Sequence, residues 1–100
     1  VDRLHTDLPL PHVGWNSVEW TARASRDPVL AGVGGGAPRF FYNAHSYAVQ
    51  GWDDADLLGR CEYDVPFASV VGRGNVWGIQ FHPEKSQEEG LRLLGNFARL

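Results

Sequence analysis

Residues 76–100, VWGIQFHPEKSQEEGLRLLGNFARL, carry the decisive pattern. Val76–Phe81 is an apolar run with β-branched and aromatic members and reads as a buried strand. Pro83 lacks the N–H that a ladder needs, so the strand ends before it. Ser86 and Glu89 stand at the S-x-x-E spacing of a capping box that opens a helix. Leu91, Leu94, Phe97 and Ala98 recur at three- and four-residue spacing and predict the apolar face of that helix. Gly90 and Gly95 are expected to weaken it by about 1 kcal/mol each relative to alanine. A strand leading into a helix is the unit of an α/β domain, and open sheets of that class hold their sites where the strand ends.

His82-Pro83-Glu84 occupies that junction. An imidazole titrates near neutrality and can take a proton from a nucleophile and return it to a leaving amine. A carboxylate two residues away can fix its tautomer and stabilise the imidazolium. The same residues also read as a strand end and as an acid placed in the favourable field of a helix N-terminus. The local pattern leaves both readings open.

Upstream, Gly74-Asn75 turns the chain and Ala68–Val71 is a second apolar run, so two paired strands are expected. Arg39–Tyr42 and Tyr47–Val49 read as strands around a polar connection, residues 43–46, that presents His45 and Ser46 beside Tyr47. Ser46 lacks the G-x-S-x-G elbow of a hydrolase nucleophile. Val13–Trp20 reads as a strand entered from Pro9 and Pro11. Asp27 before Pro28 caps a short helical turn that stops at Gly32. Gly32–Ala37 matches G-x-G-x-x-A, but Pro38 and the strand-like RFFY follow where a dinucleotide site needs a helix.

The 100 residues allow one domain, with 43% hydrophobic and 21% charged residues, the balance of a chain that builds a core. Net charge is −3 and the basic residues are scattered, so neither nucleic acid nor an anionic membrane is expected as a partner. No apolar stretch reaches membrane-span length and no signal segment opens the chain, which fits a cytoplasmic protein. Cys61 is the single cysteine and closes no internal disulfide. It lies between Arg60 and Glu62, whose effects on a thiol oppose each other, and outside any elbow, so it is not the expected nucleophile. His5, His12, His45 and His82 show no metal-ligand spacing, and no metal or other cofactor is expected.

Taken together, PHVGWN (Pro11 to Asn16), FYNAHSY (Phe41 to Tyr47), CEYDVPF (Cys61 to Phe67) and GIQFHPEKSQEEGLRLLGNF (Gly78 to Phe97) resemble, in this order, one family. It is the glutaminase subunit of imidazole glycerol phosphate synthase, a class I glutamine amidotransferase of histidine biosynthesis. The resemblance runs through nearly the whole chain and covers the C-terminal half of the family domain. It implies the C-terminal part of a flavodoxin-like, three-layer α/β domain, truncated, with the half that bears the cysteine nucleophile absent. It also implies glutamine hydrolysis to glutamate and ammonia, passed to a cyclase subunit, a (β/α)₈ barrel, in a heterodimer.

Residue by residue, the resemblance makes His82 the general acid and base and Glu84 its orienting partner in a Cys-His-Glu triad. His45, Ser46 and Tyr47 match the segment that holds glutamine. Val13, Trp15, Asn16 and Lys85 match positions at or near the cyclase contact. The departures are the missing G-x-C-x-G elbow, Val13 where a larger apolar residue is common, Asn43 where an apolar one is usual, and Asp64 where glycine is usual. Asp tolerates the left-handed backbone better than most residues. The 100 residues alone are therefore expected to be inactive, marginally stable and prone to association. The alternative is a truncated, non-catalytic relative that only docks on the cyclase.

Overall fold

The structure, a computed structural model, describes residues 2–100. Its strands are β1 (Asp2–Arg3), β2 (His12–Trp20), β3 (Arg39–His45), β4 (Tyr47–Ala48), β5 (Leu57–Tyr63), β6 (Val65–Arg73) and β7 (Val76–Ile79). One α-helix, α1 (Gln87–Ala98), closes the chain, and short 3-10 turns occupy Ala22–Arg26, Pro28–Leu30 and Pro83–Lys85. A five-stranded sheet runs in the order β3-β2-β5-β6-β7, and β1 pairs β4 separately. Every pairing is antiparallel. Sheet and helix together are compatible with part of an α/β domain.

The β6-β7 hairpin turns at Gly74-Asn75, as the sequence predicts, and β2 begins one residue before the expected Val13. The expected short turn at Pro28 forms as a 3-10 turn, with Asp27 accepting from Val29 N at 2.9 Å. Asp64 joins β5 to β6 at φ 68°, a left-handed conformation that aspartate tolerates. Several expectations are corrected. The run Val76–Phe81 is not a buried strand: β7 stops at Ile79, lies at the sheet edge and leaves Val76 exposed. Residues 43–45 are not part of a connection: Asn43 and His45 continue β3, because β2 offers them cross-strand partners in Gly14 and His12. Ser86 precedes α1 but makes no side-chain cap, since its hydroxyl is bonded elsewhere.

The main core lies between one sheet face and the helical elements. Val18, Phe41, Leu58 and Val70 from the sheet pack with Val29, Leu30, Val33, Phe81 and Leu93. The Phe41 and Phe81 rings stack at 4.0 Å, so the strand edge and the entry to the last helix share one contact. A smaller cluster joins Leu4, Ala48, Cys61 and Phe67.

Helix α1 turns a different face inward from the one its leucines suggest. Gly90 and Leu93 are its buried residues, whereas Leu91, Leu94 and Phe97 are exposed. Gly90 explains the rotation. A Cβ built on it would lie 1.9 Å from the Pro83 carbonyl oxygen, so only a glycine lets the helix start so close to that turn. Asn96 then fastens the far end by donating to the carbonyls of Val29 and Ala31. Among the described residues, no helix is long and apolar enough to cross a membrane.

Candidate active site

His82 leaves the sheet region with its backbone tied down. Its N–H donates to the Tyr42 carbonyl at 2.9 Å, and its own carbonyl accepts from Lys85 N at 3.1 Å and from the Ser86 hydroxyl at 2.6 Å. The same hydroxyl accepts from Tyr42 N at 2.9 Å, which links β3, the His82 turn and the start of α1 through one buried oxygen. Pro83 supplies the first residue of the 3-10 turn, where its fixed φ fits and its missing N–H costs nothing.

On this rigid turn the His82 and Glu84 side chains meet. Nδ1 of His82 lies 2.8 Å from Oε1 of Glu84. A carboxylate accepts, so the ring proton sits on Nδ1 and Nε2 is left as the basic nitrogen. Nε2 has no hydrogen-bond partner among the described residues. The Glu84 carboxyl is held below the ordinary glutamate value, first by a bond from its own backbone N–H and then by His82. It is therefore ionised wherever the imidazole can act as a base.

His45, Ser46 and Tyr47 lie at the end of β3 and the start of β4. The Ser46 carbonyl accepts from Leu4 N at 2.8 Å, so the short strand β1 braces the segment. His82 is near enough to His45 for its charge to oppose protonation of the His45 ring. The structure thus brings together segments 35 residues apart.

It also assembles a pair for which the sequence offered no local signal. His12 and His45 are cross-strand partners in β2 and β3, with Nδ1 of His12 3.1 Å from Nε2 of His45. Tyr63 stacks on His12 at 4.2 Å and Phe67 meets it edge-on at 6.0 Å. Desolvation first, then His45, pushes the His12 imidazole down to about 4. The His45 imidazole is lowered too, chiefly by burial, with the Tyr47 backbone opposing and His82 adding to the shift. The strand register was the missing information. Both histidines point to the face that carries Phe41 and Val18, and only a paired β2-β3 makes them neighbours.

The residues matched to a partner contact divide between two faces. Val13 and Trp15 are exposed on the sheet side that also displays Phe40, and Trp15 meets Tyr42 edge-to-face. Lys85 lies over the same Tyr42 ring at 6.0 Å. Asn16 faces the opposite side, where its amide bonds His12 and the Glu62 carbonyl. Cys61 is buried at 2% exposure among Leu4, Ala48 and Phe67, and desolvation first pushes its thiol up to about 11. A thiol in that state is a poor nucleophile. Among the described residues, no group of three or more His, Cys, Asp or Glu gathers as a metal site.

No family model matches the chain. Over its full length the chain is 48% identical to imidazole glycerol phosphate synthase subunit HisH of Symbiobacterium thermophilum, covering 45% of that protein. HisH of Methylococcus capsulatus is 47% identical over 92% of the chain, and HisH of Desulfitobacterium hafniense 44% identical over 99%, with 41% and 44% of those proteins covered. The chain spans less than half the length of these relatives and matches their C-terminal part. By sequence, then, the chain is homologous to the C-terminal part of imidazole glycerol phosphate synthase subunit HisH.

Proposed function

We propose that the complete protein is a glutamine amidotransferase, the glutaminase subunit of an imidazole glycerol phosphate synthase, and that this chain supplies the histidine and glutamate of its Cys-His-Glu triad. The observation that carries the reading is the 2.8 Å contact between His82 Nδ1 and Glu84 Oε1, which leaves Nε2 unpartnered at the end of a tied-down turn. Homology to the HisH subunits supports it. The cysteine belongs to residues outside this chain, because Cys61 is buried with its thiol pushed up. In fold terms, the antiparallel sheet and α1 are the C-terminal part of a flavodoxin-like, three-layer domain.

The chemistry follows from the two side chains. His82 Nε2 takes the thiol proton as sulfur bonds to the side-chain amide carbon of glutamine. Glu84 stabilises the resulting imidazolium through Nδ1–H without itself taking the proton. When the tetrahedral intermediate collapses, the C–N bond breaks and the proton goes from Nε2 to the departing nitrogen, which leaves as ammonia. In the second half, Nε2 takes a proton from water as its oxygen attacks the thioester. The C–S bond then breaks, the thiol regains its proton and glutamate departs.

His45, Ser46 and Tyr47 hold the glutamine, with the backbone of the segment braced by Leu4. Val13, Trp15 and Lys85 form the apolar and cationic part of the surface that receives the cyclase subunit, and Asn16 supports that strand from its other face. Ammonia then passes to the cyclase in histidine biosynthesis.

Glutamate release by the complete protein with its cyclase tests the reading. His82→Ala is expected to lower the rate by about 10³-fold or more, and Glu84→Gln by about 10²-fold, with the complex still forming. Undiminished hydrolysis by the His82 variant would remove this residue from the mechanism.

A further inference from the structure

The polar groups behind the His45–Tyr47 segment have a proton arrangement that the backbone dictates. Ser17 N–H donates to Asn16 Oδ1 at 2.8 Å, and Asn16 Nδ2 donates to the Glu62 carbonyl at 2.9 Å. A backbone N–H can only donate and a carbonyl can only accept, so these two groups fix which end of the Asn16 amide is oxygen. The second Nδ2 hydrogen is left for His12 Nε2, 3.3 Å away. An amide nitrogen does not accept, so His12 Nε2 must be the acceptor.

A neutral imidazole with an accepting Nε2 carries its proton on Nδ1. Nδ1–H of His12 therefore donates to His45 Nε2 across 3.1 Å. The same step moves the His45 proton to its own Nδ1, which is buried beside the segment and lacks a hydrogen-bond partner within range. Tyr63 stacks on the buried His12 ring, and Phe67 meets both rings edge-on.

We propose that Asn16 and His12 are positioning residues: they lock His45 as the neutral, Nδ1-protonated imidazole and so hold its ring, and with it the His45–Tyr47 segment, in one arrangement. The positioning of substrate rests on the glutamine-binding role proposed above for that segment; the tautomers do not. Without the lock, each ring would interconvert between tautomers, and some combinations would set two lone pairs or two N–H groups against each other.

Long-range proton–nitrogen correlation spectra of the complete protein, at about pH 8 where imidazoles are neutral, report the protonated ring nitrogen directly. The expected result is Nδ1–H for both His12 and His45. Asn16→Asp keeps the side-chain shape and loses the bond to the Glu62 carbonyl, but offers His12 an acceptor, and should convert both rings to Nε2–H. The glutamine KM of that variant should rise about tenfold with kcat within about twofold. His12→Asn, whose amide can donate from the position of Nδ1, should keep the His45 tautomer, whereas His12→Leu should release it.

Nε2–H on either ring of the unaltered protein overturns the lock, and that measurement needs no variant to fold. Reversed tautomers with an unchanged KM overturn the positioning role. Absence of glutamine hydrolysis in the unaltered protein overturns the glutaminase reading, and the substrate-positioning role with it, while the tautomers would stand.

Discussion

The Ser86 hydroxyl donates to the His82 carbonyl at 2.6 Å, so a residue placed to cap a helix instead clamps the turn that carries the proposed general base. It is 2% exposed, also accepts from Tyr42 N, and makes no side-chain cap on α1. The turn, the third strand and the helix start therefore move as one body.

Ser86→Ala should separate them. Two buried partners lose their hydrogen bond, which costs on the order of 1–3 kcal/mol of stability in denaturant titration. Glutamine hydrolysis by the complete protein should fall as well, because the His82 carbonyl keeps only its bond from Lys85 N and is no longer tied to β3 through the serine. Stability and activity both equal to the unaltered protein would show that the clamp holds nothing.

Gly90→Ala would ordinarily stabilise a helix by about 1 kcal/mol. Here the sign should reverse. The new Cβ would fall 1.9 Å from the Pro83 carbonyl oxygen, a contact that backbone must yield to. A loss on the order of 2–3 kcal/mol is expected in chemical denaturation, with Glu84 displaced alongside Pro83. Gly95→Ala, where the nearest atoms belong to the flexible Arg99 side chain, is the control and should be neutral or stabilising.

His12 makes stability depend on pH. Its folded pKa is about 4 against 6.5 for the ordinary group, so between these values the unfolded chain binds more protons. Stability is thus fully present above about pH 6.5 and is lost as pH falls towards 4. The loss over that window is on the order of 3 kcal/mol, and His45 adds to it in the same direction. Denaturation midpoints measured across the window should flatten in His12→Gln. An equally steep profile in that variant would assign the effect to other groups.

Cys61 should behave as a core residue. With its thiol raised from 9.0 to about 11, the thiolate fraction near neutrality falls by about 10²-fold. Modification by an aromatic disulfide reagent should accordingly be slow in the native protein and become fast on unfolding. Cys61→Ala in the complete protein should leave glutamine hydrolysis intact. Loss of hydrolysis with the fold preserved would make Cys61 the nucleophile after all.

Much of this was legible in the residues themselves because the signals are local. Strands β2, β3, β6 and β7 announce themselves by β-branched and aromatic runs, and helix α1 by its apolar spacing, whereas β1 and the central strand β5 do not. His82 and Glu84 are two positions apart, so the chain need not fold far to join them. His12 and His45 are 33 positions apart, and their contact depends on the register His12↔His45 that only strand pairing sets. Asn43 shows the same limit. It is fully buried, which its polarity gave no reason to expect, because β3 runs on to His45.

What the sequence by itself determined is strands β2, β3, β6 and β7, helix α1 and the nearness of His82 to Glu84, since these rest on short-range backbone preferences; β5, between β2 and β6, was not among them. Tertiary structure alone decided three further things. Ser86 clamps rather than caps, because Tyr42 from another strand competes for its hydroxyl. Gly90 faces inward, because the Pro83 carbonyl leaves room for nothing larger. The protons of His12 and His45 are placed by Asn16, whose amide is oriented by backbone groups of Ser17 and Glu62. In each case a group from a distant segment satisfies a hydrogen bond or fills a space, and no local pattern encodes which distant segment arrives.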